Sequence, residues 1–177
     1  MENFFKFLET ETSWLTAPAS TRFHLCKEGG LIEHSVGVAN TLLKLKATMA
    51  PQISDESCVI VALFHDLGKT GFPGTPYYLP NTDEWQKKNR GIHYITNPDC
   101  VTMSIGVQSL HLISQHVQLF PEEVQAIASQ DGLYPTYGGV INLEYRMNET
   151  PLTLLLQFAD KWTAAIQEDE WKIQERN

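Results

Sequence analysis

Val61-Ala62-Leu63-Phe64-His65-Asp66-Leu67-Gly68-Lys69 reads as the end of a buried helix that carries an imidazole and a carboxylate side by side. The spacing predicts a helix over 55–67. Ser54 is a suitable N-cap, and Asp55 and Glu56 suit the positive end of the helix dipole. Val59, Ile60, Leu63, Phe64 and Leu67 recur at helical intervals and mark a core-facing surface. Gly68 is the expected C-terminal stop. His65 and Asp66 then fall on the last turn. An ionised carboxylate in such a place costs several kcal/mol unless it is paired or bound to a metal. Taken alone, the pair would be an ordinary core histidine beside a locally hydrogen-bonded carboxylate. The surrounding sequence weighs against that reading.

Upstream, Leu31, Ser35, Val38, Leu42, Leu45 and Met49 recur in steps of three and four, which predicts an amphipathic helix over 31–49 ended by Pro51. His34 lies one step from this stripe, a turn before Val38, and can point inward. Ahead of it runs Ser20-Thr21-Arg22-Phe23-His24-Leu25-Cys26-Lys27-Glu28-Gly29-Gly30, a loop that combines Arg, His and Lys with a glycine pair. Such a segment can approach an anion. Phe4, Phe5 and Leu8 mark a short amphipathic segment near the start.

Downstream, residues 70–96 are rich in proline and glycine and contain Tyr77, Tyr78 and Leu79, then a turn signal at Pro80-Asn81. They predict a β-hairpin or irregular flap, with 85–96 returning as a strand. Lys87, Lys88 and Arg90 form a solvated face on it. Helices are expected over 99–115 and from Pro121 to about residue 129. A small strand is expected near 140–143. The last long helix starts at Thr150-Pro151, a cap followed by a first-turn proline. Its Leu, Phe, Trp and Ala residues surround nearly the whole circumference, so it is expected to be buried. Asp160 sits within it and calls for a strong partner, a salt bridge or a metal.

The 177 residues suit one domain with a substantial core. A net charge of -8 argues against general nucleic-acid binding while leaving room for a local basic pocket. Cys26, Cys58 and Cys100 are odd in number and widely spaced, so neither a disulfide framework nor a zinc ribbon is indicated, and a cytoplasmic setting is expected. The first 17 residues lack the pattern of a signal peptide, and no apolar run approaches the roughly 20 residues of a membrane span.

Three expected helices therefore offer His34, His65 with Asp66, and Asp160 from apolar surroundings. Two neutral imidazoles and two carboxylates suit one divalent transition metal, with Mn, Fe, Co, Ni and Zn undistinguished and Mg compatible. A metal-bound water is acidified towards neutrality and can attack phosphorus. Lys69, just past the pair, is placed to hold a phosphate oxygen.

The order His, His-Asp, distant Asp resembles the HD-domain superfamily of metal-dependent phosphohydrolases. The contexts Gly-Leu-Ile-Glu-His34-Ser, Ala-Leu-Phe-His65-Asp66-Leu-Gly-Lys and Gln-Phe-Ala-Asp160-Lys carry the resemblance, over a core of about 20–167. A phage and bacterial subgroup is similar in its Ser-Thr-x-x-His segment, here Ser20 to His24. The resemblance implies an all-α, HD-domain-like helical bundle with a small β-hairpin or flap insertion, and His34, His65, Asp66 and Asp160 as ligands. Many HD proteins add two histidines that hold a second metal. Here the aligned positions carry Ile105 and Gln130, so one metal is expected, with His111 and His116 on the surface.

The leading expectation is a phosphohydrolase acting on a small phosphorylated substrate, a nucleotide above all. In it Asp66 or Glu33 relays a proton, and Lys69 with Arg22 or His24 neutralises phosphate charge. The alternative is a non-catalytic, nucleotide-binding or regulatory HD module that keeps a structural metal. A third reading, a helical protein whose four polar groups merely pair, would hold no metal.

Overall fold

The computed structural model describes residues 2–132 and 148–168. In order the elements are α1 (Glu2–Glu11), α2 (Gly30–Met49), α3 (Asp55–Phe64), a 3-10 turn (Leu67–Thr70), β1 (Tyr78–Pro80), α4 (Glu84–Arg90), β2 (Tyr94–Thr96), α5 (Ile105–Ser114), α6 (Pro121–Ala128), α7 (Pro151–Trp162) and a π-helical turn (Thr163–Gln167). The expected all-α bundle with a small β insertion is what the chain forms. Among the described residues no helix is long and apolar enough to cross a membrane.

α3 is apolar because it packs on both sides. Val61, Ala62 and Cys58 join Val38 and Leu42 of α2, Ile127 of α6 and Leu156 of α7 in one cluster. Ile60 and Phe64 join Phe4 and Leu8 of α1, Trp14, Leu31 and Leu112 in a second. A helix between two cores needs no polar face, and its C-terminal end is carried to the centre of the molecule.

α3 starts as expected, with the Ser54 hydroxyl accepting from Ser57 N at 3.0 Å. It ends three residues sooner than expected, at Phe64. The cause lies on α5. The Ser109 hydroxyl donates to the His65 carbonyl at 2.7 Å and accepts from Gly68 N at 2.8 Å, drawing the backbone out of the helical path. Asp66 consequently adopts φ -101°, ψ 12°, in the sparsely populated bridge region. Gly68 is therefore not a left-handed stop. A Cβ there would lie 2.5 Å from the Ile105 carbonyl oxygen and 2.6 Å from Gln108 Cβ, so glycine is what lets α5 dock against the motif.

The hairpin forms as an antiparallel pair, with Tyr78 opposite Thr96 and Pro80 opposite Tyr94. The expected strand over 85–96 is helix in its first half and strand only at Tyr94–Thr96. Asp83 caps α4 by accepting from Gln86 N at 3.0 Å, and Gly91 closes it at φ 64°. The hairpin is tied to the 20–30 loop, since Thr21 O accepts from His93 N and Tyr94 N at 3.1 and 3.3 Å.

α5 begins at Ile105 rather than residue 99, because Ser104 is its N-cap, accepting from Val107 N at 3.3 Å. α7 begins at the expected Thr150-Pro151 cap. It is not buried all round: Leu154, Phe158 and Trp162 form an exposed stripe. The strand expected over 140–143 lies outside the described residues.

Candidate metal centre

Four of the side chains singled out in the sequence meet where α2, the end of α3 and α7 converge. His34, His65 and Asp66 each offer a donor atom within 4.8 Å of the others. Asp66 Oδ2 lies 3.8 Å from His34 Nε2 and 3.5 Å from His65 Nε2. Asp160 Oδ1 lies 3.1 and 3.8 Å from the same two nitrogens. Ligands about 2.0–2.2 Å from one ion stand roughly 3–4 Å apart, so these spacings fit a shared metal.

The surroundings fit as well. Both Nε2 atoms are fully buried and have no hydrogen-bond partner, although Asp160 is near. His65 Nε2 is orphaned, at a cost of about 1–3 kcal/mol, and neutral His34 Nε2 would have no donor to accept from, so a metal at their common focus would satisfy both. The other ring nitrogens are engaged. His65 Nδ1 donates to the Ala62 carbonyl at 2.8 Å, which leaves Nε2 as the free lone pair.

Burial alone would raise the Asp66 carboxyl, but Lys69, His65 and His34 hold it well below the usual carboxylate range. Lys69 Nζ donates to Asp66 Oδ2 at 2.6 Å, and despite its burial this pairing keeps the ammonium charged well above an ordinary lysine. Gln130 Nε2 donates to Asp66 Oδ1 at 3.1 Å. Asp160 is likewise lowered, with His34 and His65 outweighing its burial.

The substrate residues expected from the sequence are placed unevenly. Lys69 stands at the cluster, and Tyr78 of β1 reaches it from the flap. Burial pushes the Tyr78 phenol up to about 12, against the pull of the Lys69 charge. His24 is also close, its ring centroid 4.8 Å from that of His34. Arg22 is exposed, with its guanidinium 4.6 Å over the Phe23 ring. Glu33 is half-exposed at the surface, paired with Lys27 at 2.8 Å.

Two further acidic residues stand at the cluster, and of these Glu168 was not read from the sequence. Glu168, just past the π-helical turn, accepts from His24 Nδ1 at 2.7 Å and from His34 Nδ1 at 3.0 Å. Asp131 is near enough that Asp66 and Asp160 add to the effect of burial in raising its carboxyl. A carboxylate eight positions past Asp160, beyond an apolar helix, carries no periodic signal of its own. His111 and His116 are exposed, against Phe72 and Phe7 respectively, as expected of surface histidines.

A family profile described as HD domain matches residues 31–165, well over half of the chain. The chain belongs to the HD-domain family. No curated protein and no solved structure matches it. The HD-domain family is one of metal-dependent phosphohydrolases, its members bind divalent metals, and the His/Asp cluster is a fitting place for one.

The metal-free HD domain has a definite pH signature. Burial lowers the affinity of His34 for its proton, but Asp160, Glu168 and Asp66 outweigh it and raise the imidazole from 6.5 to about 9. The folded value lies above the unfolded one. The stabilisation from His34 is therefore complete below about pH 6.5 and lost as pH rises to about 9. Burial would raise the Glu168 carboxyl, but His24 and His34 outweigh it and lower it to about 2, so its contribution is present above about 4.5 and lost in acid. Thermal melting in a chelator is expected to peak between these limits and to fall on the alkaline side. A flat alkaline limb would contradict the His34 environment.

Proposed function

We propose that this chain is a phosphohydrolase that uses one divalent metal to cleave the phosphate ester of a small molecule, with nucleotides the first class to test. The observation that carries the reading is the pair of buried, unpartnered Nε2 atoms of His34 and His65 facing the carboxylates of Asp66 and Asp160. These four residues would hold the metal. When bound, it would lower the pKa of a water and polarise a phosphoryl oxygen. The Lys69 ammonium supplies positive charge beside that position, where it can neutralise charge gathering on phosphate oxygens. His24, 17% exposed, enters from the 20–30 loop and is the second candidate for a phosphate contact. Arg22 is the weaker candidate, since its contact is with Phe23. Asp131, with its raised carboxyl, is better placed than Glu33 to exchange a proton with the leaving group.

Gln130 favours one metal over two. Its amide is already engaged with Asp66, and a neutral amide binds transition metals poorly. The same observation supports a second reading, a nucleotide-binding regulatory module whose metal is structural. Elemental analysis joined to a panel of nucleoside monophosphates, cyclic nucleotides and alarmones separates the two. The catalytic reading expects close to one metal per chain and turnover on at least one ester. One tightly held metal with no turnover across the panel supports the regulatory reading. A stoichiometry near two overturns the one-metal site.

A further inference from the structure

His34 uses both ring nitrogens. Nε2 faces Asp66 and Asp160, while Nδ1 lies 3.0 and 3.1 Å from the two oxygens of Glu168. An ionised carboxylate can only accept, so Nδ1 keeps its proton, and Nε2 is the nitrogen that would give up its own to offer a lone pair to a metal. Glu168 reaches this position through one local departure from regular structure and one missing side chain. In an uninterrupted α-helix, Glu168 would stand roughly 80° round the axis from Asp160. The π-helical turn inserts about one extra residue, which places it as if seven positions on, within roughly 20° of the Asp160 face. That turn is pinned to α2, with Thr163 Oγ1 donating to Thr41 Oγ1 at 3.0 Å and Gln167 Nε2 to the same oxygen at 3.2 Å. On the facing side, Gly37 stands one turn after His34. A Cβ there would meet Thr163 Cγ2 at 2.9 Å and Glu168 Oε1 at 3.4 Å.

We infer that Glu168 is a positioning residue that grips His34 by its Nδ1–H and so turns Nε2 towards the metal, and that the π-helical turn and Gly37 bring it there. The inference rests on the metal site proposed above but not on the phosphohydrolase reaction. The shared oxygen Oε2 also accepts from His24 Nδ1, so the same carboxylate fixes the tautomer of the histidine on the 20–30 loop. Carboxylates behind a ligating imidazole raise its basicity and fix its orientation, and their loss typically costs 10–100-fold in metal affinity.

Zinc alone is the probe. Affinities of the wild type, Glu168→Ala, Glu168→Gln and Gly37→Ala are read by chelator competition. The His34 Nδ1–H proton signal is followed by NMR in the zinc-loaded proteins. Glu168→Ala is expected to weaken zinc binding about 10–100-fold and to abolish the downfield Nδ1–H signal. Glu168→Gln keeps an acceptor oxygen and should fall between the two. Should Glu168→Ala fail to fold, the near-isosteric Gln variant carries the test. Gly37→Ala leaves every donor atom in place and favours helix, yet should weaken zinc several-fold by pushing Glu168 and Thr163 away. Affinity within twofold of wild type in both Glu168 variants, with the Nδ1–H signal intact, overturns the inference. So does a second zinc lost with Glu168, because the carboxylate would then be a ligand. Wild-type protein that retains no zinc overturns both the metal site and this role. Zinc retention without phosphoester turnover removes only the proposed reaction.

Discussion

Replacing Asp66 with Asn is expected to strip the protein of its metal and to lower its thermal stability sharply. The two effects have separate causes. The carboxylate charge offsets the lost hydration of a bound cation, and a neutral amide does so poorly. The same carboxylate is the partner of Lys69 at 2.6 Å, at a position only 4% exposed. Removing one member of a buried ion pair typically costs about 3–5 kcal/mol, because the other charge is left uncompensated. Asp66→Asn combined with Lys69→Met should recover much of the melting temperature without recovering metal. Asp160→Asn should lose metal at a smaller cost in stability, since Lys69 is hydrogen-bonded to Asp66 and feels Asp160 only through a weaker attraction. The checks are elemental analysis after dialysis against a chelator and thermal unfolding by circular dichroism. Full metal occupancy in both Asn variants would remove these carboxylates from the ligand set.

The second large effect is expected at Ser109, which touches neither metal nor substrate. Its hydroxyl satisfies the His65 carbonyl and the Gly68 amide at once, in a fully buried position. Ser109→Ala leaves two buried backbone groups without their hydroxyl partner, at roughly 1–3 kcal/mol each, so a loss of about 2–6 kcal/mol is expected. Metal affinity should fall with it, because the hydroxyl fixes the turn that presents His65 and Asp66. Urea unfolding gives the stability and chelator competition gives the affinity. A variant with an unchanged unfolding midpoint would show that the turn is held by α5 packing alone.

The parts of this fold that were legible beforehand are those written in local pattern. Caps at Ser54 and Thr150, the 3.6-residue periodicity of α2, and the imidazole and carboxylate residues on apolar helices all announce themselves within a few positions. Where the structure departs from expectation, a distant partner is the reason. α3 stops at Phe64 because Ser109, more than forty residues on, captures its backbone. The segment after Trp85 looked like a strand through its Ile92, Tyr94 and Ile95, but the Asp83 cap and the Glu84–Lys87 pair at 2.7 Å decide for helix first. α7 was expected to be buried all round because composition counts apolar residues without showing which of them find a neighbour. Glu168 and Gly37 could not be read at all. Their meaning depends on a π-helical turn, which has no sequence period, and on a contact between α2 and the segment after α7.

The order in which the chain is made gives the π-helical turn a further significance. Ribosomes release the N-terminal part first, at about 5–20 residues per second. A nascent chain that has reached α6 already carries His34, His65 and Asp66. It lacks Asp160, and it lacks the carboxylate that turns His34 into place. Selection among metals of similar affinity depends on geometry, and here that geometry is completed by the last helix described. A metal held by the four proposed ligands would thus meet its full donor set only once α7 has docked.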